Sequence, residues 1–298
     1  MATVTTTIAS VNSIDIGYET HGDPNSEPLL LVMGLGAQLI AWPIEMVDAL
    51  VDRGFFVIRY DNRDVGLSTK LTDADGDFMT TFLQASSGQP VEVAYRLSEM
   101  AADGMALLDH LGIESAHIVG ASMGGMLAQT MAIEHPNRVR TLTSIMSTTG
   151  EPDVGQPTPE AMELLLRATP TTREEAIEAS VESSRAIGSP EHFDAGVARP
   201  RATEAYDRCW YPEGVARQLL AIVASGSRAA GLAELDVPTV VIHGDVDPLV
   251  TPSGGRRTAE LVPGAELIML EGMGHDLPPV VLGPVVEAIT SLAARTNA

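Results

Sequence analysis

Six short apolar runs, separated by longer amphipathic stretches, constrain this chain more than any other feature of its sequence. The runs are Leu29–Met33, Phe55–Tyr60, Ala116–Gly120, Thr141–Met146, Thr239–His243 and Glu266–Leu270. Several are apolar throughout, as strands covered on both faces must be. Helical periodicity is read between them at about Ile44–Arg53, Tyr95–Leu111, Gly125–Glu134, Gly254–Leu261 and Val280–Ala294. Strand and helix alternating in this way predict an α/β class, a mostly parallel central sheet with helices on both faces. Thr5–Glu19 reads instead as a hairpin leading into the sheet. From about Thr149 to Leu235 the rhythm breaks: proline-punctuated helical stretches such as Thr172–Ile187 and Gly214–Ala224 follow one another without a convincing strand. The expected organisation is a core of residues 1–148 and 236–298 with a helical cap, 149–235, over the carboxyl ends of the strands, where open α/β sheets bind ligands.

Composition limits the function classes. At 298 residues and 45% hydrophobic content the chain can bury a sizeable core. A formal net charge of −22 argues against nucleic acid or anionic membrane as a partner, because both would be repelled. Met1–Ser13 has neither a basic nor an apolar signal region, and Leu29–Ile44 is too short and too interrupted to span a bilayer. A soluble, cytoplasmic protein without membrane insertion is expected, and nothing specifies an oligomeric state. The single cysteine, Cys209, excludes an intramolecular disulfide and a cysteine-rich zinc site. Lys70 is the one lysine, with no motif around it. No phosphate loop, dinucleotide-binding glycine pattern or metal-ligand spacing is present, so no cofactor and no metal are expected.

The chemistry starts at Gly120-Ala121-Ser122-Met123-Gly124, a G-x-S-x-G pattern between a predicted strand and a predicted helix. A nucleophile on a strained turn projects its hydroxyl above the sheet, and flanking glycines relieve the crowding. Ser122 needs a base. Of seven histidines, His110, His117 and His135 suit packing or capping, His21 and His192 lie in loops, and His243 ends a strand against a turn. His275, in the flexible turn Glu271–His275 after the last strand, is the candidate base. The orienting acid should lie between nucleophile and base at a strand end. Asp247 is favoured there because it lies further beyond the strand and is stiffened by Pro248; Asp245 is the alternative. The backbone N–H groups of Met123 and Leu35 are the candidate oxyanion donors. Gly34 and Trp42 are candidate substrate-binding residues, Trp42 as core or pocket wall. Asp61–Ser68 is read as structural, with Arg63 tying neighbouring carboxylates or carbonyls and Gly66 permitting the turn.

These segments resemble the α/β-hydrolase superfamily over nearly the whole chain, through Leu29–Gly34, Tyr60–Arg63, Gly120–Gly124, Val237–Thr239 and Gly272–His275. More narrowly, Val32–Gly34, Val57–Asp61, Ser122–Gly124 and Gly272–Pro278 resemble the aclacinomycin methylesterase-like esterases, which remove a methyl ester from an anthracycline polyketide. The resemblance implies the α/β-hydrolase fold and ester hydrolysis by a Ser-His-Asp triad, with a small-molecule ester and water as partners. Many members of the superfamily carry His-Gly where this chain has Met33-Gly34; the backbone donor is unaffected. A perhydrolase or carbon–carbon bond hydrolase with the same triad, and a slow-turnover ligand-binding sensor, are the alternative readings. Asp73–Val93 is long for a connection and is expected to add a wall near the entrance.

Overall fold

The computed structural model describes residues 5–72 and 77–296. Among them eight strands form one sheet: β1 (Thr7–Val11), β2 (Ile14–His21), β3 (Glu27–Val32), β4 (Phe55–Tyr60), β5 (Ala116–Ala121), β6 (Val139–Ile145), β7 (Thr239–Gly244) and β8 (Glu266–Leu270), in the order β1-β2-β4-β3-β5-β6-β7-β8. The first two strands form the expected hairpin, turned at Asn12 and Ser13, which both hold positive φ as a tight two-residue hairpin turn requires. β2 pairs antiparallel with β4, and all later pairings are parallel.

Side chains alternate across the sheet, so each strand feeds two cores. Leu30, Val32, Ile58 and Ile118 face α3 (Leu97–His110) and α4 (Met123–Glu134). Leu29, Leu31, Val57 and Val119 face α1 (Ile44–Asp52) and α11 (Pro279–Ala294). β4, β5 and β7 are buried along their whole length, which is why their sequences are continuous rather than alternating. β8, at the sheet edge, is half-buried.

The chain leaves β3 for β4 on one side and places β5 on the other, so strand order reverses at β3. The helices that follow β3 and β5, α1 and α4, pack on opposite faces of the sheet, the arrangement in which α/β sheets hold ligands at the carboxyl ends of their strands.

Between β6 and β7 lie α5 (Pro159–Leu165), α6 (Arg173–Ile187), α7 (Ala195–Arg208), α8 (Pro212–Ser225) and α9 (Ala229–Ala233). α6 starts at a capping box in which Thr172 and Glu175 satisfy each other's backbone N–H groups. α6 and α7 share a small core of Ile177, Val181 and Ala202. Two ion pairs to buried carboxylates dock these helices on the loop after β4: Arg208 to Asp61 at 2.8 Å and Arg217 to Asp64 at 2.9 Å. The stretch expected as a wall, Asp73–Val93, contains α2 (Phe78–Ser86), which packs on α8; its residues 73–76 lie outside those described. The remaining helix, α10 (Ser253–Leu261), joins β7 to β8. Among the described residues no helix is long and apolar enough to cross a membrane.

Candidate active site

Ser122 sits between β5 and α4 with φ 58° and ψ −123°, a conformation that serine rarely adopts. The turn is imposed from all sides. Ser122 N donates to Ile145 O at 2.9 Å, and Ser122 O accepts from Gly125 N and from the Ser147 hydroxyl, both at 2.9 Å. A Cβ at Gly120 would overlap Gly124 O, and one at Gly124 would overlap Val32 O. Both glycines of the motif are therefore steric necessities, and α4 starts at Met123, two residues before the sequence expectation.

The turn after β8 and the loop after β7 converge on this serine. The Ser122 hydroxyl donates to His275 Nε2 at 2.9 Å, and His275 Nδ1 donates to Asp247 Oδ2 at 2.7 Å. A carboxylate only accepts, which fixes the proton on Nδ1 and leaves Nε2 as a lone-pair acceptor. Asp247 is 2% exposed, and its other oxygen accepts from Leu249 N and Val250 N, both at 2.9 Å. Asp245, the alternative acid, is turned elsewhere: its Oδ1 accepts from Gly272 N at 2.7 Å and braces the turn that carries His275. His243 is fully buried, with Nε2 donating to Val250 O at 2.7 Å, and burial pushes its imidazole below the ordinary range. It props the Asp247 loop rather than meeting Ser122.

Gly34 lies against the serine, since a Cβ on it would come within 3.0 Å of Ser122 Cβ. Leu35 N and Met123 N have no acceptor among the described hydrogen bonds. Trp42 requires correction as a substrate-binding candidate. It is 1% exposed and packed in the same core cluster as Met33, Met46 and Met273, between the sheet and α1.

The Asp61–Ser68 loop is structural, as expected. Arg63 forms a two-pronged pair with Asp103 at 2.6 and 2.7 Å, and a Cβ at Gly66 would collide with the Asp61 carboxylate. Asn62 Nδ2 donates to Met33 O at 2.9 Å, tying this loop to the one that carries Leu35. Lys70 Nζ donates to the carbonyls of Val65, Gly66 and Ser68, so it closes the same loop.

Sequence reasoning missed two residues of the inserted helices. Ser189, just after α6, accepts from Gly274 N at 3.0 Å and donates its hydroxyl to Asp276 at 2.6 Å, while His275 N donates to Ile187 O at 2.7 Å. Gln218 of α8 accepts from Gly36 N at 2.8 Å. Neither carries a motif: Ser189 follows the end of α6 and Gln218 lies within α8, and their roles are visible only once those segments are docked. Among the described residues no group of His, Cys, Asp and Glu side chains could hold a metal ion.

Comparison with known proteins agrees with this architecture. A family described as the alpha/beta hydrolase fold matches residues 27–279. This chain belongs to the alpha/beta hydrolase fold family. Within the family it is 32% identical to rhodomycin D methylesterase DnrP of Streptomyces peucetius, an alignment covering 93% of this chain and 94% of that one. It is 26% identical to 3-oxoadipate enol-lactonase 2 of Acinetobacter baylyi, covering 94% of both. Among solved structures, the meta-cleavage product hydrolase CumD of Pseudomonas fluorescens superposes on this alpha/beta hydrolase with a TM-score of 0.78 at 20% identity, covering 97% of each chain. That likeness is one of fold.

Proposed function

We propose that this ester-hydrolysing enzyme works through an acyl-enzyme formed on Ser122, with His275 as general base and Asp247 as the acid that orients it. The observation that carries the reading is the unbroken hydrogen-bond line from the Ser122 hydroxyl through His275 to Asp247, set at the strand-order reversal. His275 Nε2 takes the Ser122 proton as Oγ attacks the ester carbonyl, and Asp247 stabilises the resulting imidazolium. Leu35 N–H and Met123 N–H hold the tetrahedral oxyanion, a contribution of about 10²–10³ in rate per donor in such sites. Collapse expels the alcohol, protonated by His275. Water, activated by the same imidazole, then attacks the acyl group and releases the acid. Gly34 leaves room for the ester above Ser122, and residues 149–235 act as a cap over the core of residues 1–148 and 236–298. The methylesterase names of full-length relatives make methyl esters of bulky apolar acids the first substrate class to assay.

The test pairs a panel of esters, varied separately in acyl and alcohol parts, with labelling of the chain by a fluorophosphonate. Turnover is expected in the parent and absent in a folded Ser122→Ala variant, with the label found on Ser122 by peptide mass. Wild-type turnover in Ser122→Ala would overturn the assignment. Peracid formation or β-diketone cleavage exceeding ester hydrolysis would move it to the perhydrolase or carbon–carbon hydrolase alternatives, and one burst of product with a stable Ser122 adduct to the sensor reading.

A further inference from the structure

Gly34-Leu35-Gly36-Ala37 folds as a β-turn closed by Ala37 N donating to Gly34 O at 3.2 Å. Gly36, its third residue, holds φ +65°, whereas Leu35 is not at positive φ, which is the type II arrangement. Type I and type II turns differ by a flip of the central peptide, here the one joining Leu35 to Gly36. That flip leaves the Gly34–Leu35 peptide in place, because Gly34 O accepts from Ala37 N in either form; Leu35 N–H is re-aimed only when the turn moves as a whole.

Gln218 ties the turn to α8. Its side chain is fully buried in the middle of α8, with Oε1 accepting from Gly36 N at 2.8 Å and Nε2 donating to Arg63 O at 2.8 Å. The N–H it accepts belongs to the central peptide, and a flipped peptide would turn a carbonyl oxygen toward Oε1. Val215, one turn earlier on α8, lies 3.0 Å from where a Cβ of Gly36 would stand, so the helix closes over the turn. On the other side Asn62 holds Met33 O. The donor peptide between Gly34 and Leu35 therefore lies between two pinned neighbours, one held from the sheet and one from the insertion.

We propose that Gln218 is a positioning residue for acyl transfer: by holding Gly36 N it fastens the turn to α8 and keeps Leu35 N–H aimed at the oxygen of the carbonyl under attack by Ser122. The inference rests on the ester-hydrolase reading with Leu35 as an oxyanion donor. It makes the seating of α8 part of the chemistry as well as of the enclosure.

The experiment uses the full chain with Gln218→Met, which removes both hydrogen bonds at similar size, and Gln218→Glu, which keeps the acceptor for Gly36 N and removes the donor to Arg63. Steady-state rates on one ester are measured beside affinities for a trifluoromethyl ketone, which forms the tetrahedral adduct, and for the product acid. Gln218→Met is expected to lower kcat roughly tenfold to a hundredfold with KM little changed, the range that misplacement of a reacting group produces. The tetrahedral adduct should weaken by the same factor and product-acid affinity should hold. Gln218→Glu should stay within about threefold of the parent in kcat. An unchanged kcat in Gln218→Met, equal losses in the two variants, or equal weakening of adduct and product acid would each overturn the inference. If Gln218→Met does not fold, Gln218→Asn, whose shorter amide falls short of Gly36 N, takes its place with the same expectations. A parent that turns over no ester or forms no Ser122 adduct defeats the hydrolase reading and this inference together; a competent parent with an unimpaired Gln218→Met defeats the inference alone.

Discussion

Ser122 occupies a backbone region in which a side chain is strained, and nothing in the chain around it relaxes that strain. Such residues cost about 1–3 kcal/mol each and persist where the surrounding structure over-determines them. Here Ile145 O, Ser147 and the start of α4 do so. Comparing two inactive variants isolates the backbone contribution, because Ser122→Ala and Ser122→Gly both lack the hydroxyl. Ser122→Gly should be the more stable by about 1 kcal/mol after glycine's own entropic penalty; urea midpoints with unchanged slopes would show it, and equal midpoints would refute a strained turn. The motif made Ser122 legible, and chain order made His275 and Asp247 legible. Choosing Asp247 over Asp245 rested on reach beyond the strand and on the stiffening Pro248; the structure adds the contacts, since Asp245 is committed to Gly272 N and Asp247 to His275 Nδ1. Trp42, read as core or pocket wall, belongs to the core, a choice that proximity in sequence to a site loop could not make.

At the scale of elements, the positions of strands and helices followed from hydrophobic period, and the errors fell at ends and at special turns. α4 is buried on nearly all sides, so its sequence shows no polar face to mark where it begins. Its first turn packs so closely on β3 that Gly124 has no room for a methyl group. Gly124→Ala should therefore cost at least about 4 kcal/mol, in the range reserved for backbone collisions. Gly283 in α11 is the control: a Cβ there meets nothing, so Gly283→Ala should stabilise the chain by about 1 kcal/mol through helix propensity. Thermal unfolding of the pair reads both; a tolerated Gly124→Ala would mean that α4 can shift away from β3. The helix in Asp73–Val93 escaped the sequence reading because its face is completed by α8, a partner more than a hundred residues away.

At the scale of the whole molecule, acid stability is set by groups buried far from the site. His117, 1% exposed at the opposite end of β5 from Ser122, accepts or donates at Thr141 Oγ1 at 2.9 Å; burial, with the Arg140 charge beside it and only partial opposition from Glu27, pushes its imidazole down to about 4. The folded state thus takes up this proton at lower pH than the unfolded chain. Stability associated with the neutral ring is complete above about pH 6.5 and is lost as pH falls toward 4, a span of roughly 3 kcal/mol. His117→Gln should flatten the fall of urea stability between those pH values relative to the parent, without changing ester turnover at neutral pH; parallel curves would refute it. The net charge of −22 works in the other direction over the same window, since self-repulsion eases as carboxylates protonate, which is why the comparison with the variant is needed. The sequence by itself determined the alternation of strands and helices, the glycine-flanked serine and the order in which acid and base follow it, because these are local: period, turn sterics and chain order are written in consecutive residues. Only the tertiary structure decided which carboxylate faces His275, that Trp42 belongs to the core, and that α6 and α8 reach back to hold the His275 turn and the Leu35 turn. Those outcomes depend on contacts between segments far apart in the chain, whose partners exist only once the sheet has formed and the inserted helices have docked on it.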